Sequence, residues 1–414
     1  MLENYTVIGD CRICGNRKID SIYSFGDVPL ANSLVRKEDI NKEDDHFPLT
    51  LVFCPRCSLI QIKETVNPET LFKNYLYFSS FSETVLRRSE ELAENLIRER
   101  HLNQDSLVVE IASNDGYLLH FFKKKEIPIL GIEPAENIAK IANEKGITTL
   151  CDFFNLQCAE KVANDGKMAD VIIGNNVLAH VSDLNGFVEG IRVLLKENGI
   201  GSFEFPYIVN MMRNTEFDTI YHEHLCYFSL TAVMELFKRH QLIVFNAELT
   251  EIHGGSLRIT VTHRDNELEI SKNMRDLLQK ESVEGLDKIH FYRTFASKID
   301  TIHQNLTSLL NDLKARGKTI AAYGAAAKGS MLLNVFQISK ETIDFVVDRS
   351  TYKQNLFMPG NHIPIIGPEY LLQKQPDYLL ILAWNFADEI MNQQQEYQRK
   401  GGKFIIPIPD VKII

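Results

Sequence analysis

A short apolar strand that ends in an acid and a small-residue turn constrains this chain more than any other stretch. Residues 108–116 read Val-Val-Glu-Ile-Ala-Ser-Asn-Asp-Gly, and a helix begins at Tyr117. A second short strand ends at Glu133, seventeen residues after Gly116. A tight strand-to-helix turn lets a ligand approach the backbone closely, and the acid ending the next strand can accept hydrogen bonds from two ribose hydroxyls.

The composition of this turn selects among ligands that carry a ribose. The turn has one glycine where the dinucleotide fingerprint G-x-G-x-x-G has three, so it is poorly suited to holding a pyrophosphate. A ligand with a ribose and no phosphate fits better, and S-adenosylmethionine (SAM) is such a ligand. The alternative is an ordinary parallel strand that ends in a solvated acid.

Alternating strands and helices around this motif predict an α/β fold with a doubly wound parallel sheet. A helical repeat over 82–99 comes first, and predicted helices lie at 118–125, 135–145 and 184–195. The predicted strands are 107–111, 129–132, 148–150, 171–174 and 199–204. Ligands bind beyond the carboxyl ends of such strands, where Glu110, Glu133, Asp152 and Asn175-Asn176 fall.

A second, smaller α/β unit follows a polar, helix-rich connection over 266–318. Its predicted strands are 319–323, 343–347, 378–382 and 404–406. Gly324-x-x-x-Lys328-Gly329 places a cation and free backbone amides at a helix start, which favours an anion such as a diphosphate. The spacing is not a Walker motif, so an ordinary strand-to-helix turn is the alternative.

Two cysteine pairs near the N-terminus predict a structural metal site. Cys11-x-x-Cys14 and Cys54-x-x-Cys57 supply the four thiolates of a closed tetrahedral Zn²⁺ site, with free or redox-active cysteines as the alternatives. The gap between the pairs implies an inserted loop from Asp27 to Asp45. We expect Cys151, Cys158 and Cys226, which lack this spacing, to be small buried residues.

The net charge and the lack of targeting or membrane-spanning patterns argue against several classes of protein. The formal net charge of −10 argues against a nucleic-acid substrate, because phosphate binding needs a basic face. The chain has no signal-peptide pattern and no run of about eighteen apolar residues, so we expect a cytoplasmic protein without a membrane partner.

Several side chains that can transfer protons lie close together in residues 221–229, which read Tyr-His-Glu-His-Leu-Cys-Tyr-Phe-Ser. An imidazole suits proton abstraction near neutral pH, and a tyrosine hydroxyl can stabilise a developing oxyanion. A metal site and an ordered loop without a catalytic role are the alternatives. His253-Gly-Gly-Ser-Leu-Arg258 can approach a ligand or form a hairpin turn, and the aromatic run 75–80 can cover the cofactor or only pack.

Taken in order, these motifs resemble the SAM-dependent C-methyltransferases of nucleotide-linked deoxysugars, the dTDP-sugar C-3′-methyltransferase type. The resemblance extends to Asp-Phe-Val-Val-Asp-Arg at 344–349, Pro-Gly-Asn-His-Ile-Pro-Ile at 359–365, and residues 376–385. It implies a zinc-binding domain (1–70), a SAM-dependent methyltransferase domain (71–263), and a helical linker with a C-terminal α/β nucleotide-sugar-binding domain (264–414).

The resemblance also implies a role for each matching residue. His224 would remove the C3 proton of a 4-ketohexose, assisted by Tyr221 and Glu223, with His180 lining the same pocket. SAM, leaving as S-adenosylhomocysteine, would be bound by Glu110, Ala112, Asn114, Gly116, Tyr117, Leu118, Glu133, Pro134, Asp152, Phe153, Asn175, Asn176 and Tyr77. The nucleotide sugar would be bound by His222, His253, Arg258, Tyr323, Gly324, Lys328, Arg349 and Asn385.

Three other functions stay open at this stage. An O- or N-methyltransferase would keep the SAM segments without needing a base for a C–H proton. A nucleotide-sugar-binding or dehydrogenase module would use the C-terminal unit, and a zinc-containing RNA methyltransferase is disfavoured by the acidic balance. The nucleotide (dTDP, CDP or GDP), the sugar and the oligomeric state are open as well, and we expect a monomer because three domains in one chain can complete the site.

Overall fold

A computed structural model describes residues 5–72, 80, 83–250, 255–266 and 268–414. The N-terminal module carries both cysteine pairs on short antiparallel strands. Its elements in this described part are β1 (Tyr5–Val7), β2 (Asp20–Pro29), β3 (His46–Phe53), β4 (Ile60–Ile62), β5 (Glu64–Val66) and α1 (Pro68–Phe72).

The central module alternates strands and helices as the sequence predicts. Its elements are α2 (Glu83–Arg100), β6 (Val108–Ile111), α3 (Leu119–Lys123), β7 (Ile129–Ile132), α4 (Glu136–Glu144), β8 (Thr149–Leu150), α5 (Leu156–Asn164), β9 (Ala169–Asn175), α6 (Leu184–Leu194), β10 (Leu195–Pro206), α7 (Ile208–Arg213), β11 (Cys226–Tyr227), α8 (Leu230–Lys238), β12 (Leu242–Thr250) and β13 (Ser256–His263).

Two linker helices lead into the C-terminal module. The elements are α9 (Lys272–Glu284), α10 (Ile289–Ala315), β14 (Ile320–Tyr323), α11 (Ala327–Val335), β15 (Val346–Val347), β16 (Ile365–Ile366), α12 (Glu369–Lys374), β17 (Tyr378–Ile381), α13 (Ala387–Gln393), α14 (Gln395–Arg399), β18 (Lys403–Ile406) and β19 (Lys412–Ile413). None of the helices in the described ranges is both long and apolar enough to cross a bilayer.

The central sheet confirms the predicted doubly wound α/β fold. Its strand order is β12-β13-β10-β9-β6-β7-β8, and the five strands from β10 to β8 run parallel. The hairpin β12–β13 adds an antiparallel edge, which the alternating pattern did not predict. The strand order reverses between β6 and β9, and ligands of such sheets bind in the crevice at that point.

The C-terminal sheet repeats this arrangement on a smaller scale. Its order is β16-β15-β14-β17-β18-β19, with β19 antiparallel at the edge. The strand order reverses between β14 and β17, which places a second crevice beyond Tyr323 and Ile381. The central and C-terminal modules, whose sequences are not obvious repeats of each other, therefore each have a crevice of the kind in which ligands bind.

The N-terminal sheet incorporates a strand from the central module. β11 pairs antiparallel with β4, so that Cys226 lies opposite Gln61 and Tyr227 opposite Ile60. The amide of Ile62 also donates to the Leu225 carbonyl at 3.0 Å. The sheet of the zinc module, with the order β11-β4-β3-β2, therefore includes β11. Its hydrogen bonds reach Leu225, which directly follows the 221–224 loop.

Local sequence signals explain where the central helices begin. Asn155 accepts a hydrogen bond from the Cys158 amide and starts α5, and Ser229 does the same for the Ala232 amide at the start of α8. Such side chains satisfy helix amides that have no partner within the helix. Two of the remaining cysteines, Cys158 and Cys226, are buried as predicted, whereas the expectation for Cys151 is wrong because its residue is exposed.

One buried carboxylate joins the linker to the central module. Glu281 on α9 accepts hydrogen bonds from the Tyr207 hydroxyl at 2.8 Å and the Leu230 amide at 2.6 Å. Its second oxygen accepts from the Thr231 amide and hydroxyl at 2.8 and 2.6 Å. The side chain therefore caps α8 from another helix, and four donors would lose their partner without it.

We expect Glu281→Ala to lower the free energy of unfolding by about 3 kcal/mol, because it leaves buried donors unsatisfied and removes a helix cap. Calorimetry and urea unfolding would measure the loss. Glu284→Ala on the same helix is the matched control, since it removes only a surface ion pair with Arg213 and should cost roughly 0.5 kcal/mol. Equal effects of the two substitutions would contradict this role of Glu281.

Candidate functional site at the junction of the three modules

The turn after β6 has the backbone shape that a closely approaching ligand requires. Ala112, Asn114 and Gly116 all have positive φ angles, of 54°, 49° and 77°. A Cβ atom on Gly116 would lie 2.7 Å from the Ile147 side chain, so both the angle and the space require glycine there. The sequence therefore places its one turn glycine where no side chain can be accommodated.

Glu133 ties this turn to the end of β7. Its buried carboxylate accepts hydrogen bonds from the Asn114 amide at 3.0 Å and from the Ala135 amide at 2.9 Å. Burial raises the pKa of Glu133, and the two backbone amides oppose that shift. Because each carboxylate oxygen has a second acceptor site, Glu133 can still accept hydrogen bonds from ribose hydroxyls.

Two further polar side chains point to a ligand in this crevice. Glu110 is buried, and burial together with the charges of Glu133 and Asp115 raises its pKa well above the ordinary value. Within the described ranges, no partner is recorded for Glu110 Oε2 or for the side-chain oxygen of Asn175 at the end of β9. Buried acceptors of this kind fit the amino and hydroxyl groups of SAM.

The other residues predicted to bind the cofactor differ in their exposure to solvent. Asp152 and Phe153 are exposed beyond β8, whereas Ala112, Tyr117, Pro134 and Asn176 are partly buried around the turn. Leu118 is completely buried in an apolar cluster, which leaves only its backbone for a ligand. The predicted contact Tyr77 lies outside the described residues.

His224 occupies the loop between the 3-10 turn Phe217–Thr219 and β11. Its Nδ1 lies 2.9 Å from the Thr219 carbonyl oxygen, and its Nε2 lies 3.0 Å from the Tyr221 hydroxyl. A carbonyl can only accept, so Nδ1 carries the proton and Nε2 presents its lone pair. The His180 ring meets the His224 ring edge-on, with centroids 4.8 Å apart.

The surroundings keep both histidines neutral. Burial is the largest cause that lowers the pKa of His224 well below its ordinary value, and His180 and Lys328 add to it. Burial likewise lowers the pKa of His180 to about 4. At neutral pH, His224 Nε2 is therefore a free base rather than a protonated nitrogen.

The zinc module holds the two residues that precede His224. His222 is buried, its Nε2 lies 3.0 Å from the Pro48 carbonyl oxygen, and its ring meets Phe47 edge-on. Glu223 is also buried and accepts a hydrogen bond from the Asn32 amide group at 2.7 Å. Burial raises the pKa of Glu223 to about 7, and this hydrogen bond opposes the rise.

The C-terminal module closes the other side of the same loop. Lys328 Nζ lies 3.4 Å from Glu216 and 4.9 Å from the centre of the Trp384 ring. The Trp384 indole donates to buried Asp218 at 2.7 Å, and burial raises the pKa of Asp218 to about 6. Lys328 is thus a cation close enough to the 221–224 loop to act on His224, and Glu216 partly compensates the charge of its ammonium group.

In the C-terminal sheet, as in the central sheet, a carboxylate after one strand accepts hydrogen bonds from the backbone of the turn after the neighbouring strand. Asp348 accepts from the Ala325 amide at 2.7 Å and from the Ser350 amide at 2.8 Å. Gly324, with φ of 104°, lies against Ala383 of the neighbouring strand connection. Among the predicted substrate residues here, Tyr323 is buried, Asn385 is partly buried and Arg349 is exposed.

Arg258 lies on β13 opposite Glu204 of β10 and forms an ion pair with its carboxylate. Glu204 in turn lies opposite Asn175, so the pair sits at the ligand-binding edge of the central sheet. His253, the other predicted residue of this segment, lies outside the described residues.

Several residues at this junction escaped the sequence analysis. Asn32, the adjacent pair Asp218 and Thr219, and Trp384 belong to three separate segments. Asn32 and Thr219 contact the 221–224 loop, Trp384 contacts Lys328, and Asp218 accepts from Trp384. Trp384 is the only tryptophan of the chain, which is a weak signal. Asn32 carried no signal at all, because an isolated asparagine in a loop is common.

The four N-terminal cysteines meet the geometric requirement of zinc. The Sγ atoms of Cys11 and Cys57 are 3.4 Å apart, those of Cys14 and Cys54 are 3.5 Å apart, and all four lie within 4.8 Å of one another. A tetrahedral Zn²⁺ with thiolates at about 2.3 Å separates its ligands by roughly 3.8 Å. The donor set fits a closed structural site that offers no position for water or substrate.

Comparisons with known proteins agree with this three-part arrangement. Residues 11–72 match a zinc binding domain family, residues 85–245 a methyltransferase domain family, and residues 251–409 the C-methyltransferase C-terminal domain family. The chain is 34% identical over 407 residues to the C-methyltransferase NovU of Streptomyces niveus, covering 98% of this chain and 97% of that protein.

Solved structures resemble only part of the chain. A SAM-dependent methyltransferase from Clostridium acetobutylicum shares 13% identity over 43% of this chain and 92% of its own, with a TM-score of 0.36. The magnesium protoporphyrin IX methyltransferase of Synechocystis shares 12% identity over 43% of this chain and 79% of its own, with a TM-score of 0.33. The strand order, rather than these likenesses, defines the fold.

We expect the protein to bind one zinc ion per chain, and Cys57→Ser to release it readily to a chelator. Because the Cys54–Cys57 turn connects β3 to β4, backbone amides of β4 and β11 should exchange hydrogen more than about tenfold faster, corresponding to ~1.4 kcal/mol of local stability. Metal analysis and hydrogen exchange would measure both effects. Cys151→Ser, at an exposed thiol, should change neither. Full zinc content in Cys57→Ser would contradict this ligand set.

Proposed function

Because this chain belongs to the SAM-dependent C-methyltransferase family, we propose that it methylates C3 of a nucleotide-linked 4-keto-deoxyhexose, most simply a dTDP sugar. The observation that carries this proposal is the neutral imidazole of His224 between three modules. A base for a C–H proton is what distinguishes carbon methylation from methylation of oxygen or nitrogen. Lys328 of the C-terminal module supplies a cation near that base for an anionic part of the substrate.

The substrate's 4-keto group makes the neighbouring C3–H bond acidic enough for an imidazole. His224 accepts the C3 proton at Nε2, while its Nδ1–H stays hydrogen-bonded to Thr219. For this, the Tyr221 hydroxyl must turn from Nε2, where it lies 3.0 Å away. A hydroxyl that donates to the 4-keto oxygen instead would free the base and stabilise the enolate at once.

Bound SAM supplies a methyl group on a positively charged sulfur. Glu133 and the turn around Gly116 would hold the donor at the end of β6, and the 221–224 loop would position the acceptor carbon for attack on the methyl group, so that the methyl–sulfur bond breaks as the carbon–carbon bond forms and S-adenosylhomocysteine leaves. Such alignment is the main contribution of a protein to a displacement at carbon. The four cysteines take no part in proton transfer, because a closed four-thiolate site has no open position.

Lys328 would also couple the binding of the nucleotide diphosphate to the pKa of His224. Its charge lowers the pKa of His224, and a diphosphate beside Lys328 would cancel that effect and make His224 a stronger base. A bound diphosphate has to share the ammonium group with Glu216, which lies 3.4 Å from it. We propose that substrate binding therefore strengthens the base that acts on it.

The reaction is tested by incubating the protein with SAM and nucleotide-linked 4-keto sugars. We expect a mass gain of one methyl group, located on C3 by NMR. A methyl group found on oxygen or nitrogen would refute the proposal in favour of another methyltransferase reaction.

We expect His224→Ala to abolish both methyl transfer and solvent exchange of the C3 proton, while SAM binding is unchanged. Deuterium uptake at C3 and calorimetric titration of SAM would measure the two properties. His290→Ala, at an exposed position on α10, is the matched control and should keep full activity. If C3 exchange persisted in His224→Ala, His224 would not be the base.

We expect Glu133→Gln to weaken SAM binding by about tenfold or more. The amide group of glutamine has one acceptor oxygen, whereas both carboxylate oxygens of Glu133 accept hydrogen bonds. Calorimetric titration gives the dissociation constant directly. Glu136→Gln, three residues further on and exposed at the start of α4, makes the same chemical change without these contacts. Equal dissociation constants for the two variants would remove Glu133 from the cofactor site.

A further inference from the structure

The long segment between the two cysteine pairs does more than connect them. Residues 30–45, here called the bridging loop, join β2 to β3 and contain only one 3-10 turn, Lys37–Asp39. Zinc binding needs only the two knuckles that hold the cysteines. The length of the bridging loop therefore calls for another explanation.

The bridging loop is anchored on the C-terminal module at two places. Val35 and Phe357 exchange backbone hydrogen bonds of 2.9 Å in both directions. Asp44 accepts from His362 Nε2 at 3.0 Å and from the Gly360 amide. The bridging loop thus joins the zinc module to the C-terminal module, through its backbone at Val35 and through its side chain at Asp44.

Asn32 lies between these anchors and β2. Its neighbours Leu30 and Ala31 are buried, whereas Asn32 itself is exposed and directs its amide group to Glu223 at 2.7 Å. Glu223 is 4% exposed, and no partner is recorded for its other oxygen in the described part of the chain. An exposed side chain of the zinc module therefore holds a buried carboxyl group of the central module.

We propose that Asn32 is a positioning residue, delivered by the bridging loop, that orients Glu223 and keeps its carboxylate form available beside His224. The inference rests on the proposed function and on the assisting role that the family resemblance implies for Glu223. A hydrogen bond from a neutral amide stabilises the carboxylate without adding a charge to the site. The zinc module thereby contributes to the catalytic loop by side-chain contact as well as by strand pairing.

The surroundings of Glu223 leave Asn32 as the main group that favours ionisation. Burial raises the pKa of Glu223 to about 7, and among the described residues the hydrogen bond from Asn32 opposes that rise. The titratable neighbours along the loop and on the 3-10 turn Leu178–His180 are His222, His224 and His180, and burial lowers the pKa of each. Neutral histidines add no positive charge that could replace the hydrogen bond.

The test compares two substitutions of Asn32 in the zinc-loaded, full-length protein. Asn32→Ala removes the donor, and Asn32→Asp replaces it with a second carboxylate of the same shape. Infrared difference spectroscopy follows ionisation of the Glu223 carboxyl without substrate or SAM, and Glu223→Gln identifies its band. We expect the Glu223 pKa to rise by roughly one unit in Asn32→Ala and by more in Asn32→Asp.

The same variants should shift catalysis in a defined direction. Because Glu223 acts as a carboxylate, kcat/KM rises with pH as it ionises, and that limb should move to higher pH in both variants. SAM affinity and zinc content should not change. Asn41→Asp makes the same charge change at an exposed position of the bridging loop and should leave both the infrared titration and the pH profile at their wild-type values.

An unchanged Glu223 titration in Asn32→Ala and Asn32→Asp would overturn the proposal, as would an equal shift in Asn41→Asp. The infrared measurement needs no turnover, so it can fail while wild-type methylation of the 4-keto sugar is observed. It can equally succeed if methylation occurs on another acceptor. The two proposals are therefore judged separately.

Discussion

The pairing of β4 with β11 is the interaction on which the site depends. β11 has only two residues, and its strand pairing is with β4 of the zinc module. The residues that flank it, Leu225 and Phe228, bond to Ala179 and Ile208 of the central module. The 221–224 loop ends just before β11, so the pairing with β4 helps to fix the position of His224. The cysteine pair Cys54 and Cys57 lies in the turn before β4, so a zinc ion held there would stabilise the proposed site without taking part in its chemistry.

Contacts on either side of this pairing make the loop rigid. His222 packs on β3, Glu223 accepts from the bridging loop, and Thr219 fixes the tautomer of His224. The contacts of His222 and Glu223 join residues that are distant in the sequence, whereas the Thr219 contact is local, and together they hold a partly buried neutral imidazole in one orientation. Such preorganisation is what the proposed proton transfer would require, because a base that reoriented at each turnover would lose alignment with its substrate.

The central and C-terminal modules use the same structural device for different purposes. In each, an acid after the second strand of the unit binds the backbone of the turn after its first strand: Glu133 at Asn114, and Asp348 at Ala325. Both crevices open where the strand order reverses. On the proposed function, the crevice of the central module would hold the methyl donor and that of the C-terminal module would hold part of the acceptor.

Local patterns predicted much of this structure because they are set by local physics. The strand predicted at 129–132 is observed as Ile129–Ile132, and the helix predicted at 184–195 is Leu184–Leu194. The sequence did not predict β11, which is too short for a periodic pattern, or α5, which follows an exposed turn. The antiparallel hairpin β12–β13 was foreseen only as one of two alternatives for residues 253–258, since alternation alone does not give strand direction.

By itself, the sequence determined the four thiols, the single turn glycine, the acid after the next strand, and the loop that contains His224. Each is encoded within a few residues, by spacing or by backbone sterics. Only the tertiary structure decided that Asn32 contacts Glu223, that Thr219 sets the tautomer of His224, and that Lys328 faces the same loop. The contacts of Asn32 and Lys328 join segments that are separated in the chain and exist because three modules pack against one another, and the Thr219 contact depends on how the loop itself folds. No local sequence pattern encodes them.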